Sequence, residues 1–252
     1  MSLFLSINIQ MLNLPKSLSK YRPDQIELYL ETDNEEQQAQ SIRQYPNLKD
    51  YWTRTIEYKF NSHGFRGPEW LEPNGVMFLG CSNTLGIGVR QEETFADIVA
   101  TTKKIHYYNL GQGGASLDTA FYLALTYVPI LRPRLIVLTR PNPLRFDLAK
   151  DTGAYFNLSP DQMLSNKQLQ TYRSYYVDWS SCDLNPELLR RKNTMAIQYL
   201  AEQHNSDIII KSSQELDDCS DTSRPGRDMS HPGPGKHRQF ADLILKDPAA
   251  QL

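Results

Sequence analysis

Residues 76–88 read Val76-Met-Phe-Leu-Gly-Cys-Ser82-Asn-Thr-Leu-Gly-Ile-Gly88, and this stretch decides the fold. Four consecutive apolar residues, Val76 to Leu79, make the short unbroken run expected of a strand covered on both faces. Gly80 stops the run, and Ser82 follows two residues later. Gly86 and Gly88 keep the backbone unencumbered before a helix expected over Glu92 to Thr102. A serine just past the C-terminal end of a buried strand stands where open α/β sheets hold their ligands. The plainer role for such a serine is a helix cap or a turn hydroxyl, so the rest of the chain must decide between the two.

Downstream, strands and helices alternate. Ile105 to Leu110 reads as a second strand, and Ser116 as the N-cap of a helix from Leu117 to Val128 that Pro129 and Pro133 end. Leu135-Ile-Val-Leu138 is a third buried strand, closed by Thr139-Arg-Pro-Asn-Pro143. Residues 144–185 show no clean period, and an insert of that length is a lid, a binding loop or a small subdomain. Asn185-Pro186-Glu187 signals a helix start, with a cap, a proline at the first position and an acid in the first turn; the helix runs to about His204. Asp207 to Lys211 is a fourth strand, Ser212 to Arg227 is polar and turn-like, and Gly235 to Lys246 is a closing amphipathic helix with Phe240, Leu243 and Ile244 on its buried side. This alternation specifies an α/β protein, a three-layer α/β/α sandwich with a mostly parallel sheet.

Upstream, residues 1–60 read as an N-terminal helical extension packing on a main domain of residues 61–252. Asp24 to Ile42 is polar and acidic and reads as one or two surface helices; Tyr45 to Phe60 is rich in aromatic residues and suited to packing. Asn61 to Pro68 is a turn-rich loop in which Gly64 and Gly67 permit unusual dihedrals, and His63 reads as a solvated loop histidine.

Length and charge narrow the function. A chain of 252 residues with 40% hydrophobic residues suits one large domain. Lys+Arg 27 against Asp+Glu 29 gives a net charge of -2, so no global field favours nucleic acid or an anionic membrane. No segment approaches the length of a membrane span. Met1 to Gln10 lacks a positive flank, and Ser6, Asn8 and Gln10 break its apolar run, which makes it a poor signal peptide. Cys81, Cys182 and Cys219 cannot all pair and match no zinc spacing, so a reduced, cytoplasmic setting is expected. Asp228, His231 and His237 lack the spacing of a metal motif, and neither a metal nor a cofactor is expected.

In a sheet of this kind the loops after the strands gather at one edge, and here they are the unusual stretches: Gly80–Thr84, Asn109–Ser116, Arg140–Pro143 and Arg227–His231. Acyl transfer needs a nucleophile, a base, a group that orients the base, and donors for the oxyanion. Ser82 supplies a hydroxyl. Asp228 and His231, three residues apart, can meet on one tight turn, with Nδ1 toward the carboxylate and Nε2 toward the serine. The N–H groups of Ser82 and Gly114, with the amide of Asn142, are candidate oxyanion donors. Asn142 lies between two prolines, which restricts its direction.

The four blocks Gly80-Cys-Ser82-Asn-Thr84-Leu-Gly86, Asn109-Leu-Gly-Gln-Gly-Gly114-Ala-Ser116, Arg140-Pro-Asn142 and Asp228-Met-Ser-His231-Pro-Gly together resemble, in order, the SGNH (GDSL-like) hydrolases. The resemblance spans about Asn61 to Lys246. It implies an SGNH/flavodoxin-like sandwich with a shallow, open site that hydrolyses a carboxylic ester or O-acetyl group without metal, on a small-molecule or glycan substrate. It also implies Ser82 as nucleophile, Asp228 and His231 as the rest of a triad, and Ser82, Gly114 and Asn142 as the oxyanion hole. Three positions depart from the family pattern: Cys81 stands for an aspartate before the serine, Arg140 for a glycine, and Pro143 for an aspartate. Only one of Cys81 and Ser82 is expected to face the site. Arg140 reads either as a contact to an acidic group on the substrate or, more plainly, as the partner of a local carboxylate. Two rivals stand beside the hydrolase. One is an SGNH-like module without turnover that binds an acylated glycan or a protein partner. The other is a dinucleotide-binding fold using Gly111-Gln-Gly-Gly114, which lacks the third glycine and the acidic strand end of that fingerprint.

Overall fold

The computed structural model describes residues 18–53, 56–149, 155–160, 163 and 167–251; the reading of Met1–Gln10 as a poor signal peptide lies outside the described residues. The described part begins with an extended arm, and one of the expected surface helices follows it. Ile26–Glu27 (β1) pairs antiparallel with Tyr58–Lys59 (β2), because left-handed backbone at Asp24 (φ 55°) and Glu31 (φ 57°) interrupts any helix there. The helix α1 (Glu35–Gln44) starts only where the Asn34 side chain accepts the Gln37 N–H and two glutamates fill the first turn. A short α2 (Lys49–Trp52) follows. Trp52, Ile56, Tyr58 and Phe60 are buried, as the aromatic stretch suggested.

The main body then alternates: β3 (Val76–Leu79), α3 (Ser82–Leu85), α4 (Phe95–Lys103), β4 (Tyr107–Asn109), α5 (Leu117–Leu131) and β5 (Leu135–Arg140). A hairpin of β6 (Phe146–Ala149) and β7 (Tyr155–Leu158), α6 (Arg173–Ser180), α7 (Leu184–Gln203), β8 (Asp207–Ser212), α8 (Ser213–Asp217) and α9 (Pro234–Leu245) complete it. Four strands form one parallel sheet in the order β4-β3-β5-β8. Val76, Phe78, Leu135 and Val137 face a core shared with Phe95 and Val99 of α4 and Phe240 and Ile244 of α9. Their neighbours Met77, Leu79, Ile136 and Leu138 face Leu123 and Ala124 of α5 and Ile197 of α7. The protein is therefore a three-layer α/β/α sandwich, and the unbroken apolar strands exist because both faces are covered.

Local differences from the sequence reading have simple causes. The helix α5 runs through Pro129 to Leu131; a proline in the last turn removes a single N–H, and burial of Val128 and Leu131 outweighs that loss. The helix α7 begins at Leu184 with Asp183 as cap residue, so Asn185 lies within its first turn and Pro186 sits where no intrahelical N–H is required. In α9, His237, Phe240, Ala241 and Ile244 form the buried stripe, while Leu243 falls off that spacing and is exposed. Residues 213–217, expected to be irregular, form α8 through a Ser212–Glu215 capping box. The insert carries a small core of its own, with Phe146, Leu158, Met163, Leu169 and Tyr176 buried together. His63 stacks on Trp70 at 4.3 Å.

The strand order places a topological switch point between β3 and β5, because the chain leaves β3 toward α4 on one face and leaves β5 toward α7 on the other. In open α/β sheets, ligand-binding crevices open outside the carboxyl ends of the strands at such points. Ser82 follows β3 and Asn142 follows β5.

Candidate functional site

A cleft of about 290 Å³ opens at the switch point, and Ser82, Arg140, Asn142, Asp217 and His231 all border it. Ser82 opens α3 directly after the extended Cys81, and it is 7% exposed. Its N–H belongs to the first turn of a helix and has no intrahelical partner. Gly80 is required by close packing: a Cβ there would stand 2.2 Å from Thr84 Oγ1 and 2.8 Å from the Thr139 carbonyl. Cys81, itself buried, also borders the cleft. The chain turns at Cys81 from strand to helix, so strand alternation no longer applies. On the far side of α3, the buried Arg66 guanidinium donates to the carbonyls of Leu85 at 3.1 Å, Val89 at 2.8 Å and Gly86.

Asp228 and His231 meet as their spacing suggested: His231 Nδ1 lies 2.6 Å from Asp228 Oδ2. The carboxylate is fully buried and saturated. Its Oδ1 accepts the N–H groups of Ser230 and His231, each at 3.1 Å, and Oδ2 also accepts the Thr32 hydroxyl at 2.5 Å. Burial pushes the Asp228 carboxyl up, but the hydrogen bond and charge of His231 and the Thr32 hydroxyl outweigh it and hold it below the ordinary aspartate value. The turn between the two residues carries Met229 in the left-handed region at φ 58°, a conformation costly for a side chain of that size. The hydroxyl of Ser82 and the imidazole border one cleft, and among the described residues no hydrogen bond joins them. Such contacts are often long until substrate binds.

The N-terminal arm holds this turn in place. Beside Asp228, Arg227 makes a buried two-point ion pair with Asp33, Nε–Oδ1 2.7 Å and Nη2–Oδ2 2.8 Å. Asp33 also accepts the Tyr58 hydroxyl, Ser41 Oγ donates to the Arg227 carbonyl at 2.8 Å, and the guanidinium lies 4.8 Å from the Tyr29 ring centre. The same arm braces the loop after β4. Gln112 Nε2 donates to the Leu18 carbonyl at 2.7 Å, and Gly113 N–H donates to the Tyr21 hydroxyl at 3.0 Å. Sequence reading placed Arg227 in a site loop but gave it no role, and it missed Thr32 and Asp33, which no local pattern marks.

Of the remaining candidates, Asn142 is exposed at the rim. Its Oδ1 accepts the Leu144 N–H at 2.9 Å, which fixes the amide plane and leaves Nδ2 available. Gly114 adopts φ 70°; its N–H donates to none of the described residues, and the residue is not among those bordering the cleft. Arg140 borders the cleft but has no ion pair among the described residues, and its Nε is buried without a partner; this corrects the plainer expectation of a local carboxylate. His237 is buried under α4, with Nδ1 accepting the Phe95 N–H at 3.2 Å. Burial, then the charges of Arg66 and His231, lower it to about 3, so it is a neutral structural histidine. Among the described residues no group of three or more metal-ligating side chains occurs, and no helix is long and apolar enough to cross a membrane.

No family model matches the chain, and no curated protein matches it in sequence. Among solved structures, it is similar to a member of the lipolytic protein G-D-S-L family from Veillonella parvula, with 16% identity over 70% of this chain and 98% of that one and a TM-score of 0.35. The psychrotrophic esterase EstA from Pseudoalteromonas sp. shares 15% identity over 68% of this chain and 94% of its own, with a TM-score of 0.35. An acetylxylan esterase from Geobacillus stearothermophilus shares 12% identity over 73% and 97%, with a TM-score of 0.36.

Proposed function

We propose that this chain is an SGNH-type serine hydrolase that cleaves a carboxylic ester or O-acetyl group through an acyl-enzyme intermediate. The observation that supports the reading is that His231, paired with the buried and saturated Asp228, borders the same switch-point cleft as Ser82. His231 takes the Ser82 proton as Oγ attacks the acyl carbon. Asp228 fixes the imidazole tautomer and balances the imidazolium charge. The tetrahedral oxyanion receives hydrogen bonds from the Ser82 N–H and from Asn142 Nδ2. The alkoxide then departs with the proton from His231, and water attacks the acyl-serine by the same base.

Thr32 is a positioning residue in this scheme, since it acts on the imidazole through Asp228. The arm that carries Thr32 and Asp33 accordingly belongs to the catalytic architecture, and substrate specificity is assigned to the 144–185 insert.

The test is covalent labelling. A fluorophosphonate ester should add to Ser82, seen as a mass increase on the peptide that contains it, and Ser82→Ala should abolish the adduct. Absence of labelling in folded protein would favour the binding module, and labelling that moves to Cys81 would reassign the nucleophile.

A further inference from the structure

We infer that the cleft wall formed by Arg140 and Arg145 is an anion subsite, and that the ester substrate carries a carboxylate or phosphate group beside the bond that is cut. This rests on the hydrolase reading for its substrate and on separate residues for its geometry. Arg140 ends β5, in register with Ser212 of β8, and Arg145 follows one tight turn later; both border the cleft with Ser82.

The neighbouring acids that would ordinarily neutralise Arg140 are committed elsewhere. Glu187 is held by Arg190 through two contacts, Nε–Oε2 2.7 Å and Nη2–Oε1 2.6 Å, and by Arg191 at 2.5 Å. Glu215 Oε1 accepts the Ser212 N–H at 2.8 Å in the α8 cap, and its Oε2 lies 3.9 Å from Lys211 Nζ. Arg145 forms no side-chain hydrogen bond or ion pair among the described residues. The carboxylate within the cleft, Asp217, accepts Asn83 Nδ2 at 3.4 Å. Burial raises it, and the charges of Lys236 and His231 partly offset that rise.

A partly desolvated guanidinium with an unpaired buried N–H is costly unless a ligand completes it. Its planar fork matches the oxygens of carboxylate or phosphate. Burial, then the positive charge of Arg190, lower Arg140, and a bound anion would relieve both.

Matched ester pairs decide the matter. On the acyl side the pair is 4-nitrophenyl hemisuccinate against 4-nitrophenyl butyrate; on the alcohol side it is 4-acetoxybenzoate against 4-acetoxybenzamide. In the wild type, kcat/KM should favour the anionic member of one pair by about tenfold or more, chiefly through KM. The favoured pair shows whether the anion belongs to the acyl or the alcohol portion. Arg140→Met should bring that ratio to about one, and Arg140→Lys should keep part of it. Equal rates within both pairs, or a preference that survives both Arg140→Met and Arg145→Met, would overturn the subsite.

Binding provides an independent measurement. Succinate and benzoate should raise the Tm of the wild type, and this rise should vanish in Arg140→Met or, should that variant not fold, in Arg145→Met. If no ester is cleaved and no fluorophosphonate adduct forms, the hydrolase reading fails. The Tm rise then supports the subsite alone, and its absence refutes it.

Discussion

The two walls of the cleft are built on opposite principles. On the histidine side, both oxygens of Asp228 are occupied, and its neighbour Arg227 is locked to Asp33. On the arginine side, Arg140 has a buried nitrogen without a partner, while Glu187 is held by Arg190 and Glu215 by the α8 cap. A wall that must hold a catalytic base in one orientation gains from saturation, since nothing is left to reorganise during reaction. A wall that binds a ligand gains from leaving donors open, since the ligand then completes them.

The sharpest way to break this contrast is Ser82→Ala. It should lower kcat by about 10,000-fold or more while anion-dependent stabilisation at the arginine wall persists, read by ester hydrolysis and thermal shift on the same sample. Next in size, Asp33→Ala strips the buried Arg227 of its partner and should cost about 3–5 kcal/mol, measured as a shift in the urea midpoint. Were the histidine wall not dependent on the arm, stability and activity would both survive. Asn142→Ala removes a donor held by its own turn and should reduce kcat about 100-fold with little change in unfolding. Thr32→Val deletes one hydrogen bond to a charged, buried carboxylate and should reduce kcat about 20-fold, with Thr32→Ser restoring most of it. A purely structural role for Thr32 would instead change the urea midpoint and leave kcat intact.

A graded effect, an acid slope, is expected away from both walls. His237 is held at about 3 when folded, whereas an unfolded histidine binds its proton near 6.5. The unfolded state therefore takes up the extra proton as pH falls below about 6.5, and folding stability should drop by about 1.4 kcal/mol per pH unit down to the folded value. Asp228, lowered in the folded state, adds its own loss only at pH values below the ordinary aspartate range. Urea unfolding at pH 7, 6 and 5 should show the histidine slope, and His237→Asn, which keeps an acceptor for the Phe95 N–H, should flatten it.

Much of this was legible because it is local. The apolar run of Val76–Leu79 and the three later strands appear where the sequence puts them, since two-sided burial leaves an uninterrupted hydrophobic signature. Ser116 caps α5, and Asp228 meets His231 across a turn of three residues. The errors lie where packing overrides a local signal: Pro129 inside α5, the earlier start of α7 at Leu184, and β1 within the stretch read as surface helix.

By itself, then, the sequence determined an α/β sandwich and the gathering of four unusual loops at one sheet edge, because strand burial and turn chemistry are written in neighbouring residues. Only the tertiary structure decided that Thr32 reaches Asp228 across 196 positions and Asp33 reaches Arg227 across 194. It also decided that Arg140 meets no carboxylate partner among the described residues. A long-range polar contact depends on the meeting of two distant surfaces, and neither partner carries a periodicity or spacing that announces the other.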